Sequence, residues 1–144
     1  MSDFKFRIRH TMLPVADLDR SINFYTRLLG MDIMRLRNVP EQNQRVAYLG
    51  YGSEDEGPGL ELIEYGGPDK NKQMPAWAGH VAILPTDVYK LCEILKKEGV
   101  TITTEPRPNR PGSKDHVAWI KDPDGYTIEL TERHTLTGPP VKRT

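Results

Sequence analysis

H-T-M-L-P-V-A-D, residues 10–17, returns seventy positions later as H-V-A-I-L-P-T-D, residues 80–87. The correspondence continues down the chain: G-L-E-L at 59–62 is answered by T-I-E-L at 127–130. Each half therefore carries one histidine near its start, His10 or His80, and one glutamate near its end, Glu61 or Glu129. Two copies do not make a solenoid, but they do predict a duplicated fold in which equivalent positions come together. Two imidazoles and two carboxylates form a complete ligand set for a divalent metal.

Between these anchors the pattern in each half reads β-α-β-β-β, an α+β fold of two tandem modules. Residues 7 to 15 alternate as a strand, with Ile8, His10 and Met12 on one face and Arg9, Thr11 and Leu13 on the other. Asp17 is placed to cap a helix that follows Leu18, Ile22, Tyr25, Leu28 and Leu29 and stops at Gly30. Strands are expected at Met31 to Arg37, Gln44 to Gly50 and Leu60 to Tyr65. The Gly/Pro-bearing stretch 66–78 is the natural linker. The second half repeats the order: a strand from Gly79 to Leu84, a helix from Asp87 to Glu98 with Val88, Leu91, Cys92 and Leu95 on one stripe, and a strand from Val100 to Glu105. A loop from Pro106 to Ser113 then leads to strands at His116 to Ile120 and Tyr126 to Thr131, joined by the turn Asp122-Pro123-Asp124-Gly125. The expected domains are 1–70, 71–134 and a tail at 135–144 ending near Gly138-Pro139-Pro140.

Bulk properties narrow the function. The chain has 144 residues and twenty acidic against twenty basic side chains, a net charge of zero. That balance argues against nucleic-acid binding. The single cysteine, Cys92, excludes an intramolecular disulfide and fits a reducing, cytoplasmic compartment. No stretch has the length of a signal peptide or a membrane span. A chain this small with 37% hydrophobic residues is expected to complete itself as a homodimer.

Imidazole with carboxylate suits zinc, nickel, cobalt or iron better than magnesium or calcium. A glutamate inside a strand of core residues is costly unless something pairs with it, and four matching positions are hard to assign to coincidence. His116 has no histidine counterpart in the first half, where Arg45 stands. His134 lies in the tail, and Cys92 falls on the core stripe of a helix. Asp122 and Asp124 have the wrong downstream spacing for a calcium loop. No phosphate loop, G-x-S-x-G or C-x-x-C is present.

Residues 10–31, Y-L-G-Y-G at 48–52, L-E-L at 60–62, G-H-V-A at 79–82 and D-P-D-G-Y-T-I-E-L at 122–130 together closely resemble glyoxalase I, of the vicinal-oxygen-chelate superfamily. The resemblance covers about residues 7 to 132. It implies that His10, Glu61, His80 and Glu129 are metal ligands. It also implies an intertwined homodimer whose sites take one His–Glu pair from each chain. His10 at the first ligand position, with the compact length, resembles the bacterial class activated by nickel or cobalt, though the ligand chemistry alone also admits zinc. The implied reaction isomerises the methylglyoxal–glutathione hemithioacetal to S-D-lactoylglutathione through an enediolate. Glu129 is the expected main base and Glu61 the second carboxylate.

Two positions depart from the family pattern. Where the family has an arginine after M-L for a glutathione carboxylate, this chain has Pro14, and where it often has an asparagine for the same end, this chain has Tyr65. Arg107, Arg110 and Lys114 are the candidates for a substitute anchor. These departures favour, as a second reading, another metal-dependent isomerase or epimerase with a non-glutathione substrate. A non-catalytic small-molecule-binding protein is a third, disfavoured because such members generally lack the four ligands. The fourth ligand, Glu61, disfavours an extradiol-type dioxygenase.

Overall fold

The computed structural model describes residues 7–75 and 78–132. The chain divides into two compact units, Met1–Ala78 and Gly79–Thr144. Each holds one four-stranded sheet and one principal helix. In the first, β1 (His10–Val15), β2 (Asp32–Val39), β3 (Gln44–Gly50) and β4 (Gly59–Tyr65) lie in the order β1-β4-β3-β2. In the second, β5 (Val81–Ile83), β6 (Ile102–Pro108), β7 (His116–Lys121) and β8 (Thr127–Glu132) lie in the order β5-β8-β7-β6. The first strand of each unit runs parallel to the last, and the other pairings are antiparallel. The duplicated β-α-β-β-β pattern is thus realised in both halves. The tail at 135–144 and His134 lie outside the described residues.

Helix α1 (Leu18–Asn23) and helix α2 (Val88–Lys97) start in the same way. The carboxylates of Asp17 and Asp87 accept from the amides of Arg20 and Lys90, both at 2.9 Å. A second carboxylate arrives from the sheet. Glu64 accepts from the Leu18 amide and Glu132 from the Val88 amide, both at 2.7 Å. Two of the amide groups orphaned at each helix start are therefore satisfied by anions placed where the helix dipole favours them. Neither glutamate cap was visible in the sequence, because the partners are 46 and 44 residues apart. At its far end α2 closes on Gly99, whose φ of +78° lets Val100 donate back to Leu95.

The first helix departs from its expected form after Asn23. Residues Phe24–Leu28 form a π-helical segment, in which the Thr26 hydroxyl donates to the Ile22 carbonyl at 2.7 Å. The wider turn buries Phe24 and Tyr25 together, their rings edge-on with centroids 5.1 Å apart. Strand β6 also differs: it runs through Pro106 to Pro108 instead of ending at Glu105. It is an edge strand with two register shifts, and an edge is where a residue without an N–H can be accommodated.

Each helix covers one face of its own sheet. Leu13, Val15, Leu60, Leu62 and Leu49 pack under α1, and Ile120, Ile128 and Leu130 pack under α2 with Val88, Cys92 and Leu95. Cys92 is a buried core thiol, and burial pushes its pKa up.

Replacing Glu64 with Ala removes the cap to Leu18, and the expected cost is about 1–2 kcal/mol of stability. Urea denaturation followed by circular dichroism checks this. An unchanged midpoint would show that the glutamate does not hold the helix start.

Candidate functional site

Strand alternation decides where the acidic side chains go. Leu60 and Leu62 are buried under α1, so Glu61 between them points to the opposite, helix-free face. Register carries that face across the sheet: Met12, Glu61, Tyr48 and Arg35 stand side by side on β1, β4, β3 and β2. His10, two residues before Met12, shares it. Its Nε2 lies 3.1 Å from Glu61 Oε2, and the Tyr48 hydroxyl donates to Glu61 Oε1 at 2.5 Å. The His10 and Tyr48 rings meet edge-on at 5.7 Å.

Tyr48 is itself held from behind. The Arg35 guanidinium lies over its ring, 3.9 Å from the centroid, and donates to both oxygens of Glu54 at 3.0 to 3.2 Å. Arg35 holds the Glu54 carboxyl below its ordinary range, chiefly through these hydrogen bonds, and Glu54 raises the Arg35 pKa. The packing around Tyr48 is apolar: Val39, Val46 and Ile63 form a cluster with it, bordered by Met12, Met34 and Tyr65.

The second unit repeats the arrangement. Ala82, Glu129, Trp119 and Thr104 are the matching row, and His80 precedes Ala82 by two. His80 Nε2 lies 2.8 Å from Glu129 Oε2. The other oxygen is served differently: the Thr131 hydroxyl donates to Glu129 Oε1 at 3.0 Å. Trp119, in the place of Tyr48, has no hydroxyl to offer. It packs edge-on against His80 at 4.8 Å.

Both pairs fit one face of a cation's coordination sphere. Two donors each about 2.1 Å from one ion and at right angles are about 3 Å apart, the separation observed in each unit. Both imidazole Nε2 atoms and both near carboxylate oxygens point at one another, with exposed histidines and half-buried glutamates. Among the described residues no group of three His, Cys, Asp or Glu side chains forms, so each pair stands as two donors without a third.

The other candidates fall elsewhere. His116 lies on the helix side of its sheet, its ring edge-on to Tyr89 of α2. Arg45, its counterpart in the first unit, is paired with Asp19 and Glu64. Asp122 is buried in its turn, accepting from the amides of Asp124 and Tyr126. Arg107, expected in a loop, is instead in β6 opposite Val117, on the same face as Glu129. Arg110 and Lys114 remain exposed in the loop beyond. The Tyr48 and Thr131 hydroxyls went unrecognised in the sequence. Tyr48 sits one strand from Glu61, and only the register brings them together.

Residues 7–130 match the Glyoxalase/Bleomycin resistance protein/Dioxygenase superfamily. A probable lactoylglutathione lyase of Vibrio cholerae is 44% identical over 126 residues, covering 88% of this chain and 90% of that protein. Among solved structures, glyoxalase I of Zea mays superposes with a TM-score of 0.80 at 41% identity, covering 88% of this chain. This chain spans 44% of the maize chain's length. The trypanothione-dependent glyoxalase I of Leishmania major superposes with a TM-score of 0.77 at 40% identity, covering 89% of this chain and 87% of that one.

Replacing Tyr48 with Phe frees one oxygen of Glu61 while keeping the ring, and is expected to weaken divalent-metal binding about 10-fold. Competition against a chromophoric chelator measures this, and wild-type affinity in the variant would show that the phenol does not orient the carboxylate.

Proposed function

This chain belongs to the Glyoxalase/Bleomycin resistance protein/Dioxygenase superfamily, and we propose that it acts as a metal-dependent lactoylglutathione lyase. The substrate in this reading is the hemithioacetal of methylglyoxal and glutathione, and the product is S-D-lactoylglutathione. The observation that carries it is the pair of matched His–Glu half-sites, His10 with Glu61 and His80 with Glu129. Relatives at about this level of identity over most of their length carry the same activity in their names.

A half-site with two protein donors needs a second one. In the proposed assembly, a homodimer, His10 and Glu61 of one protomer share a cation with His80 and Glu129 of its partner. The donor set favours a borderline divalent ion, nickel first, then cobalt or zinc. Bound there, the cation supplies Lewis-acid polarisation of the substrate's carbonyl oxygen.

The remaining steps belong to the chain's own groups. The reaction moves one carbon-bound proton from C1 to C2, while the hydroxyl proton passes from the C1 oxygen to the C2 oxygen. No oxidant or reductant is needed. Glu129 takes the C1 proton and returns it to C2. Its carboxylate is suited to motion: one oxygen faces His80 and, among the described residues, the other accepts only from the Thr131 hydroxyl two residues away. Glu61 is tied by the phenol of Tyr48, which Arg35 and Glu54 back. It is the stationary ligand and the carboxylate available to the opposite substrate face. The apolar cluster of Val39, Val46 and Ile63 excludes water on one side.

Two outcomes are expected. The purified protein consumes the hemithioacetal absorbance with appearance of the thioester, and chelator-stripped protein regains most activity with nickel or cobalt; greater recovery with zinc would refute the metal assignment. Glu129→Gln loses about 10³-fold or more in kcat while still binding metal, and turnover near that of wild type would remove Glu129 as the base.

A further inference from the structure

A substrate built on glutathione brings two carboxylates, and the helix-free face of the first sheet offers a cation to meet one. Where the family pattern has arginine, position 14 is a proline, which contributes neither charge nor donor. Register follows the row from that position across the sheet. Pro14 stands opposite Ile63, Ile63 opposite Val46, and Val46 opposite Arg37. The row begins with the missing charge and ends with a present one.

Arg37 lies on the same face as Glu61. It is two residues from Arg35 in β2, beyond the register shift, and Arg35 is fixed to that face by its contact with the Tyr48 ring. The two arginines differ in what they are paired with. Arg35 spends its charge on Glu54. Arg37 is exposed, and among the described residues no carboxylate reaches it. Arg7, Arg9 and Arg45, the other arginines on or beside the strands of this unit, all face Asp55, Glu54, Asp19 or Glu64.

Distance also fits. Arg37 is two strands and two residues from Glu61, so their Cα atoms are about 12 Å apart. An extended tripeptide covers about 10 Å. Between the two lie Val46 and Ile63, both buried, with Val39 beside them. A peptide laid along this line crosses an apolar cluster whose partly buried border includes Met12 and Tyr65, and has a guanidinium at its end. The equivalent place in the second unit is also an arginine, Arg107, opposite Val117.

We propose that Arg37 is the specificity-determining anchor for a carboxylate of the glutathione moiety, standing in across the sheet for the charge absent at Pro14. The inference rests on the glutathione-dependent reading of the activity. A planar guanidinium binds a carboxylate through two parallel hydrogen bonds, so Arg37→Lys retains only part of the effect.

The test uses full-length holoenzyme and S-methylglutathione, a thioether that cannot react. Calorimetric titration is expected to show binding about 10- to 100-fold weaker in Arg37→Ala, with Arg37→Lys between the two. Esterifying both carboxylates of the probe is expected to weaken binding to the wild type and to abolish the difference between wild type and Arg37→Ala. In turnover of the hemithioacetal, Arg37→Ala should raise KM and leave kcat within about two-fold, the signature of lost uniform binding. Equal affinity of wild type and Arg37→Ala for S-methylglutathione, or no binding by either, overturns the assignment. Wild-type turnover with an unchanged KM in Arg37→Ala sinks the anchor and leaves the lyase standing. Absent wild-type turnover with the binding difference intact does the reverse.

Discussion

A strand has two faces, and the Leu-Glu-Leu triplets of β4 and β8 use them for incompatible purposes. The flanking positions, Leu60 with Leu62 and Ile128 with Leu130, are buried under a helix. The glutamate between them is thereby driven to the open side, where an unpaired carboxylate among apolar neighbours is costly. The parallel neighbour strand supplies the imidazole that answers it, His10 in one unit and His80 in the other. The chemistry of the site is therefore a by-product of how each module buries its core. A pleat with a period of two and a parallel first-to-last pairing are enough to put a nitrogen and an oxygen about 3 Å apart twice over.

Duplication does not make the two copies identical. The first module clamps its carboxylate with a phenol, itself stacked under a guanidinium that is held by a second acid. The second module has an indole in that place and a nearby threonine hydroxyl instead. A tyrosine deep in an apolar cluster is a stiff donor, while a threonine two residues along the same strand is a local one. In the proposed mechanism, the division of labour between a fixed ligand and a mobile base grows from these differences at Tyr48 and Trp119 and at Ile63 and Thr131. On that reading, near-symmetric carboxylates can play different parts in one reaction.

Much of this was legible in the sequence because it rests on local rules. Asp17 and Asp87 announce helix starts, and Gly99 a helix stop. Hydrophobic alternation places Glu61 and Glu129 away from the core, and repetition pairs each with its histidine. What escaped was whatever depends on register or on long separations. The Glu64 and Glu132 caps join residues more than forty positions apart. Tyr48 meets Glu61 only because β3 and β4 align them. The extension of β6 through Pro106 to Pro108 contradicts the usual reading of proline as a strand breaker. The edge position and bulges of that strand remove the objection. The π-helical turn at Phe24–Leu28 arises from packing two aromatic rings together, which a 3.6-residue period cannot anticipate.

The pairs Glu61 with Glu64 and Glu129 with Glu132 stand three residues apart on the last strand of each module, one member facing the imidazole and the other the start of the helix. Slide that strand by one position and the two acids exchange sides, taking one away from the helix amides and the other away from the imidazole in the same stroke. Each module thus proofreads itself: a misaligned sheet cannot persist quietly as a well-folded but inert protein, since the error that spoils the chemistry also unfastens the helix. Selection acting only on folding would, in such a chain, keep the reactive geometry true as well.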